Sequence, residues 1–198
     1  MTNIQEHNRV EDAGLWARFQ RDDMASYNHL IQKYSSPLFN FGYRFCQERN
    51  IVKDCIQELF LELWNKRSKI STPHSVKWYL FKALRNRILR EQTKWVRNQD
   101  LDSHPGFLLE FSIEEKIIGD IQDLELASKV KNVLQQLPPR QREIIYLRFY
   151  ENLDFEAIAQ VMGLSRQSVH NLLQKAYNSI RQQWGVLVLL TLLCGKLQ

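Results

Sequence analysis

The chain has 198 residues, 44% hydrophobic and 25% charged, with a formal net charge of +5, enough for one domain or two small ones. Seven glycines, five prolines and few alternating β-branched runs leave little room for a sheet, and the absence of a Walker A loop, GxGxxG, HExxH or nucleophile elbow removes the common enzyme signatures. Cys46, Cys55 and Cys194 lack metal-ligand spacing and cannot all pair with one another, which predicts a reducing, cytoplasmic setting with Cys46 and Cys55 in a core and no metal; the polar, acidic opening of the chain predicts no secretory signal.

In chain order, helical periodicity predicts helices over 12–31, 36–49, 52–66, 76–95, 120–136 and 140–150, then a helix, turn and helix over 155–176. The expected class is all-α, with two small helical domains over 10–97 and 128–184 joined by an acidic linker over 98–127. Charge is segregated in blocks: ten Lys and Arg residues over 66–97 face the single acid Glu91, whereas eight acids over 100–125 face only Lys116. Such blocks imply different partners for different segments. The apolar tail over 185–198 is too short for the roughly 20 residues that cross a bilayer, and is expected to pack as a short helix on its own domain or on a partner.

The helix over 52–66 has two unlike faces. Val52, Cys55, Ile56, Leu59, Phe60, Leu63 and Trp64 form a broad apolar side, while Asp54, Gln57, Glu58 and Asn65 cover the other with Leu61 in their midst. A lone exposed leucine is ordinary on any surface, but an apolar anchor ringed by polar groups also has the form of a protein-docking spot. After it comes the basic loop over 67–75. In the helix that follows, Leu80, Phe81, Leu84, Ile88 and Trp95 are expected inside, with Trp78, Tyr79, Lys82, Asn86 and Arg90 outside. Rings interleaved with cations suit single-stranded nucleic acid, because rings stack on unpaired bases while cations track the backbone; a solvated face with Trp78 or Tyr79 partly in the core is the competing reading.

The segment over 155–176 has the signals of a DNA-reading hairpin. Asp154 is a good N-cap, Gly163 supplies freedom for the turn, and Ser165 caps the second helix. Val169, Leu172, Leu173, Ala176 and Ile180 would bury against Ile158, Ala159 and Met162. The outer face offers amides, a histidine and cations, the side chains that read base edges and phosphates in a major groove.

Together, DCIQELFLELW, the basic loop, WYLFKALRN, the acidic linker and LPPRQREIIYLRFYENLDFEAIAQVMGLSRQSVHNLLQKAYNSIR resemble, over residues 15–183, an extracytoplasmic-function (ECF) sigma factor of the sigma-70 family. The resemblance implies that the first domain is sigma region 2, with Asp54, Gln57, Glu58, Leu61 and Asn65 meeting the beta-prime clamp coiled coil of core RNA polymerase. It implies that Lys66, Arg67, Lys69, Tyr79, Lys82, Asn86 and Arg90 capture the melted -10 element. The second domain would be sigma region 4, with Arg166, Gln167, Ser168, His170, Asn171, Gln174 and Lys175 reading the -35 duplex. Implied partners are core RNA polymerase through its beta-prime and beta subunits, promoter DNA and an anti-sigma factor. No cofactor, small-molecule substrate or catalytic residue is implied, and a membrane enters only through the anti-sigma factor. Two other classes fit parts of the sequence. One is a one-component regulator binding operators as a dimer. The other is a helical nuclease using Glu114, Glu115, Asp120 and Asp123, disfavoured because those acids fall in the linker.

Overall fold

The computed structural model describes residues 2–99, 107, 130 and 132–183, and every regular element among them is helical. Nearly all of the predicted linker, most of the helix expected over 120–136 and the whole apolar tail lie outside the described residues. The chain divides into two compact units, Met1–Pro105 and Gly106–Gln198.

In the first unit, α1 (Thr2–Phe19), α2 (Met24–Tyr43), α3 (Arg49–Lys66) and α4 (Val76–Gln99) enclose one core. Trp16, Phe19, Leu38, Phe41, Phe81, Leu84 and Ile88 are all essentially inaccessible to solvent there. The sequence pattern placed one helix over 12–31 and a second over 36–49; the break falls elsewhere. Asp22 adopts a left-handed φ of 68°, and Asp23 accepts hydrogen bonds from the Ala25 and Ser26 amides, starting α2 at Met24. From there α2 runs through the Ser-Ser-Pro stretch expected to open a new helix, with Pro37 inside it. Pro37 has no N–H to donate, so the helix continues at the cost of one backbone bond.

Two details tie α1 to α2 and α2 to the rest. Buried Asp12 accepts from the Tyr34 hydroxyl and pairs with Lys33 Nζ at 2.8 Å. At Gly42 a Cβ would meet Ile88 Cδ1 and Val52 Cγ1 at 2.9 Å, so α2 can approach α3 and α4 this closely only without a side chain.

Cys46 and Cys55 are both buried free thiols, as the sequence suggested. Burial, aided by the Glu91 and Glu58 carboxylates, pushes the Cys55 thiol up to about 11. The thiolate is the reactive form. Peptide-resolved mass spectrometry after brief iodoacetamide treatment at neutral pH should therefore find Cys46 and Cys55 unmodified in the native protein and labelled once urea is added.

In the second unit, the helical residues 132–136 lead through Leu137 and Pro138 into α5 (Pro139–Ile145). The expected α-helix over 140–150 is only half right, because Tyr146–Tyr150 widens into a π turn. There the Glu151 amide bonds the Tyr146 carbonyl at 3.1 Å, the Tyr146 hydroxyl donates to Glu151 Oε1 at 2.8 Å, and the Tyr146 and Tyr150 rings stack at 4.8 Å. Phe107, from the stretch assigned to the linker, is buried with its ring 5.6 Å from Tyr146.

The hairpin follows as α6 (Phe155–Met162) and α7 (Arg166–Gln183). Asp154 Oδ1 accepts from the Ala157 amide at 2.8 Å, Gly163 takes a left-handed φ of 65°, and Ser165 Oγ accepts from the Ser168 amide at 3.1 Å. Ala157, Ile158, Val161 and Met162 of α6 bury against Val169, Leu173 and Ala176 of α7, while Leu172 and Ile180 are only half-buried. Replacing Asp154 with alanine should cost about 1 kcal/mol by leaving that amide without its cap, read as a lower thermal midpoint.

Candidate nucleic-acid interface

Three surfaces carry the residues singled out from the sequence. On α3, Val52, Cys55, Ile56, Leu59, Phe60 and Leu63 are buried, and Asp54, Gln57, Glu58, Leu61 and Asn65 are all exposed, with Leu61 at 59%. Large apolar side chains left in water are few; Val10 and Met24 are the other two among the described residues. Trp64 is not fully interior: it is half-buried, with the Tyr27 ring at 4.9 Å and the Arg67 guanidinium 4.3 Å above it.

Glu58 is exposed yet already engaged. Arg87 of α4 spans the gap to α3, donating to Glu58 Oε2 at 2.6 Å and to Glu62. Lys66 also reaches Glu62, at 2.5 Å, and holds its carboxyl below the usual range. Between the helices lies a groove of about 680 Å³ lined by Asp54, Glu58, Glu62, Arg87, Arg90 and Glu91. Exposed ion pairs of this kind contribute only about 0.2–1 kcal/mol each, so a cation from a docked partner can compete for Glu58. Nothing in the sequence pairs Glu58 with Arg87, since they are 29 positions apart and meet only through helix packing.

On α4, Leu80, Phe81, Leu84 and Ile88 point inward and Lys82, Asn86 and Arg90 outward, as the periodicity required; the side chain of Trp95 lies outside the described residues. Trp78 and Tyr79 are half-buried. Tyr79 rests edge-on against fully buried Trp16 at 5.4 Å, and burial raises its hydroxyl pKa, with the Glu62 charge adding to the effect. Trp78 stands near exposed His74, rings 5.6 Å apart. In the basic loop, Lys69 is exposed, whereas Arg67 is paired with Asp22. Of the expected cations, Lys69 and Lys82 have no ion pair among the described residues; Lys66 and Arg67 start from internal partners.

The third surface is α7. Arg166, Gln167, Ser168, His170, Asn171, Gln174 and Lys175 are all exposed and lie opposite the buried Val169, Leu173 and Ala176. Gln167 Nε2 donates to Asn171 Oδ1 at 3.1 Å, which leaves the Asn171 amide N–H₂ and the Gln167 carbonyl of these exposed side chains outside that bond. The Ser168 and Ser165 hydroxyls are 2.8 Å apart. An exposed row of paired amides, a histidine and terminal cations on a helix presented by a tight turn has the form of a major-groove reader.

Comparison with known proteins places both units. Residues 30–99 match Sigma-70 region 2, and residues 128–180 match Sigma-70, region 4. The chain belongs to the sigma-70 family. It is a sigma factor of the ECF branch, and the reading as a dimeric operator-binding regulator is not favoured. The RNA polymerase sigma-H factor of Pseudomonas aeruginosa is 25% identical over 178 residues, covering 86% of this chain and 92% of that protein. The RNA polymerase sigma-E factor of Streptomyces coelicolor is 28% identical over 161 residues, covering 81% and 87%. Among solved structures, the sigma factor RpoE of Bartonella quintana, in complex with the anti-sigma factor NepR, shares the fold with a TM-score of 0.56 at 19% identity, over 81% of this chain and 97% of that one.

Proposed function

We propose that this sigma factor docks on core RNA polymerase through the outer face of α3, centred on Leu61 and rimmed by Asp54, Gln57, Glu58 and Asn65. The basic loop with Lys66, Arg67 and Lys69, and the outer face of α4 with Tyr79, Lys82, Asn86 and Arg90, then hold the melted -10 strand. The α7 face from Arg166 to Lys175 enters the major groove at the -35 element. The observation that supports this most is Leu61, an apolar side chain 59% exposed inside a polar ring, on the helix that immediately precedes the aromatic and basic one. A duplex-only repressor needs neither feature.

Within this scheme the protein transforms no substrate and uses no cofactor. Extruding a base costs a few kcal/mol of stacking, which ring and backbone contacts on α4 offset while polymerase supplies the chemistry. The cytoplasm is its compartment. The likeness in fold to a sigma factor held by an anti-sigma factor supports counting such a protein among its partners.

Run-off transcription from a genomic fragment library with purified core polymerase tests the proposal: the full chain should produce discrete start sites that core polymerase alone does not, and unchanged random initiation would contradict it. On a promoter found this way, Asn171→Ala should relax discrimination at one -35 base pair by about 1–3 kcal/mol, read from the relative output of single-base promoter variants.

A further inference from the structure

His170 is the one ring on the outer face of α7, and it has a ring contact from outside that helix. Phe155, the first residue of α6, is half-buried, whereas Ile158, Val161 and Met162 of the same helix are buried. The Phe155 ring lies beside the His170 imidazole in a widely offset stack, centroids 6.3 Å apart and planes inclined by 28°. The Arg148 guanidinium sits 5.6 Å from the same ring, and is itself fixed by donation from its terminal nitrogen to the Leu153 carbonyl at 3.0 Å. Arg148 lies within the π turn Tyr146–Tyr150. A chain of contacts thus runs from that turn through Phe155 to His170.

An exposed side chain that must be immobilised on binding loses conformational freedom, and one already held in its bound orientation loses less. Offset aromatic pairs within 4.5–7 Å have favourable geometry beyond simple burial. His170 makes no hydrogen bond among the described residues, so stacking leaves both ring nitrogens available to a base edge.

We propose that Phe155 is a positioning residue for promoter recognition: anchored by Arg148, it holds the His170 imidazole in its base-reading orientation, so that -35 preference depends on a residue outside the recognition helix. This rests on the reading of α7 as the -35 reader. Phe155 need not touch a base itself.

The test is transcription selection from a promoter library randomised at the -35 element, using the full chain with core polymerase. Wild type should enrich a defined sequence, and His170→Ala should flatten the preference at a subset of positions. Phe155→Leu, which keeps apolar volume at a half-buried site without a flat ring, should flatten those same positions by about three- to tenfold. Phe155→Tyr should retain the wild-type preference, and Phe155→Leu combined with His170→Ala should match His170→Ala alone. A purely structural role for Phe155 would lower the thermal midpoint without moving base preference, and that result overturns the proposal. So do an intact preference in Phe155→Leu, full additivity of the two substitutions, or no effect of His170→Ala. Absence of any -35 preference in the wild type would instead overturn the reading of α7 itself.

Discussion

Leu61→Asp is expected to reduce binding to core RNA polymerase by about thirtyfold or more, the loss typical of a central anchor that contributes at least ~2 kcal/mol, while leaving the helix content and thermal midpoint of the protein nearly unchanged. The two halves of that expectation have separate causes. Leu61 is 59% exposed, so its removal opens no cavity. Its neighbours Leu59, Phe60 and Leu63 hold α3 in the core from the other side. In a docked complex the same position would be enclosed, and a carboxylate there would be buried without a partner beside Asp54 and Glu58. Co-purification with core polymerase, alongside circular dichroism of the free protein, checks both halves. Undiminished co-purification would remove α3 from the docking assignment.

Trp16→Ala is expected to destabilise the first unit by about 3–5 kcal/mol, the usual cost of emptying a large aromatic site in a core. Trp16 is fully inaccessible and lies edge-on to both Phe19 at 5.3 Å and Tyr79 at 5.4 Å. It therefore does more than fill space: it is the floor on which Tyr79 of α4 rests. Urea denaturation followed by circular dichroism should show the loss directly. The milder Trp16→Phe keeps a ring in the site and should recover much of it, and a near-neutral Trp16→Ala would mean that Tyr79 is supported in some other way.

The parts that the sequence disclosed are those whose signals are local. Asp154, Gly163 and Ser165 each act within one turn of their own position, and the hairpin they punctuate folds as α6 and α7 with the expected start and turn, although α7 runs on to Gln183, seven residues past the expected end. The sidedness of α3 and α4 was equally legible, because burial at a 3.6-residue period needs no knowledge of the partner helix. What stayed hidden depends on contacts between distant residues or on a backbone choice that several sequences share. The end of α1 turns on Asp22 entering left-handed space, where aspartate is tolerated without being required. Pro37 read as a helix start yet sits inside α2. The π turn at Tyr146–Tyr150 leaves an α-like apolar pattern in the sequence.

Side-chain partners were the least accessible feature. Composition showed that Lys66, Arg67, Arg87 and Arg90 stand in a basic block, but not that Arg87 would bridge Glu58 and Glu62 or that Arg67 would meet Asp22. These pairs bear on function, since two of the cations expected at the melted strand, Lys66 and Arg67, and one acid expected at polymerase, Glu58, must exchange an internal partner for an external one. Exposed pairs are weak enough to exchange, and salt that screens DNA contacts also screens them.

Two-point promoter reading is tested most directly by footprinting one mapped promoter with core polymerase in the presence and absence of the full chain, probing duplex protection with nuclease and melting with permanganate. With the chain added, protection should extend over the -35 element while thymines around the -10 element become reactive, and core polymerase alone should give neither. A symmetric footprint that forms on the chain alone, without polymerase and without melting, would contradict it.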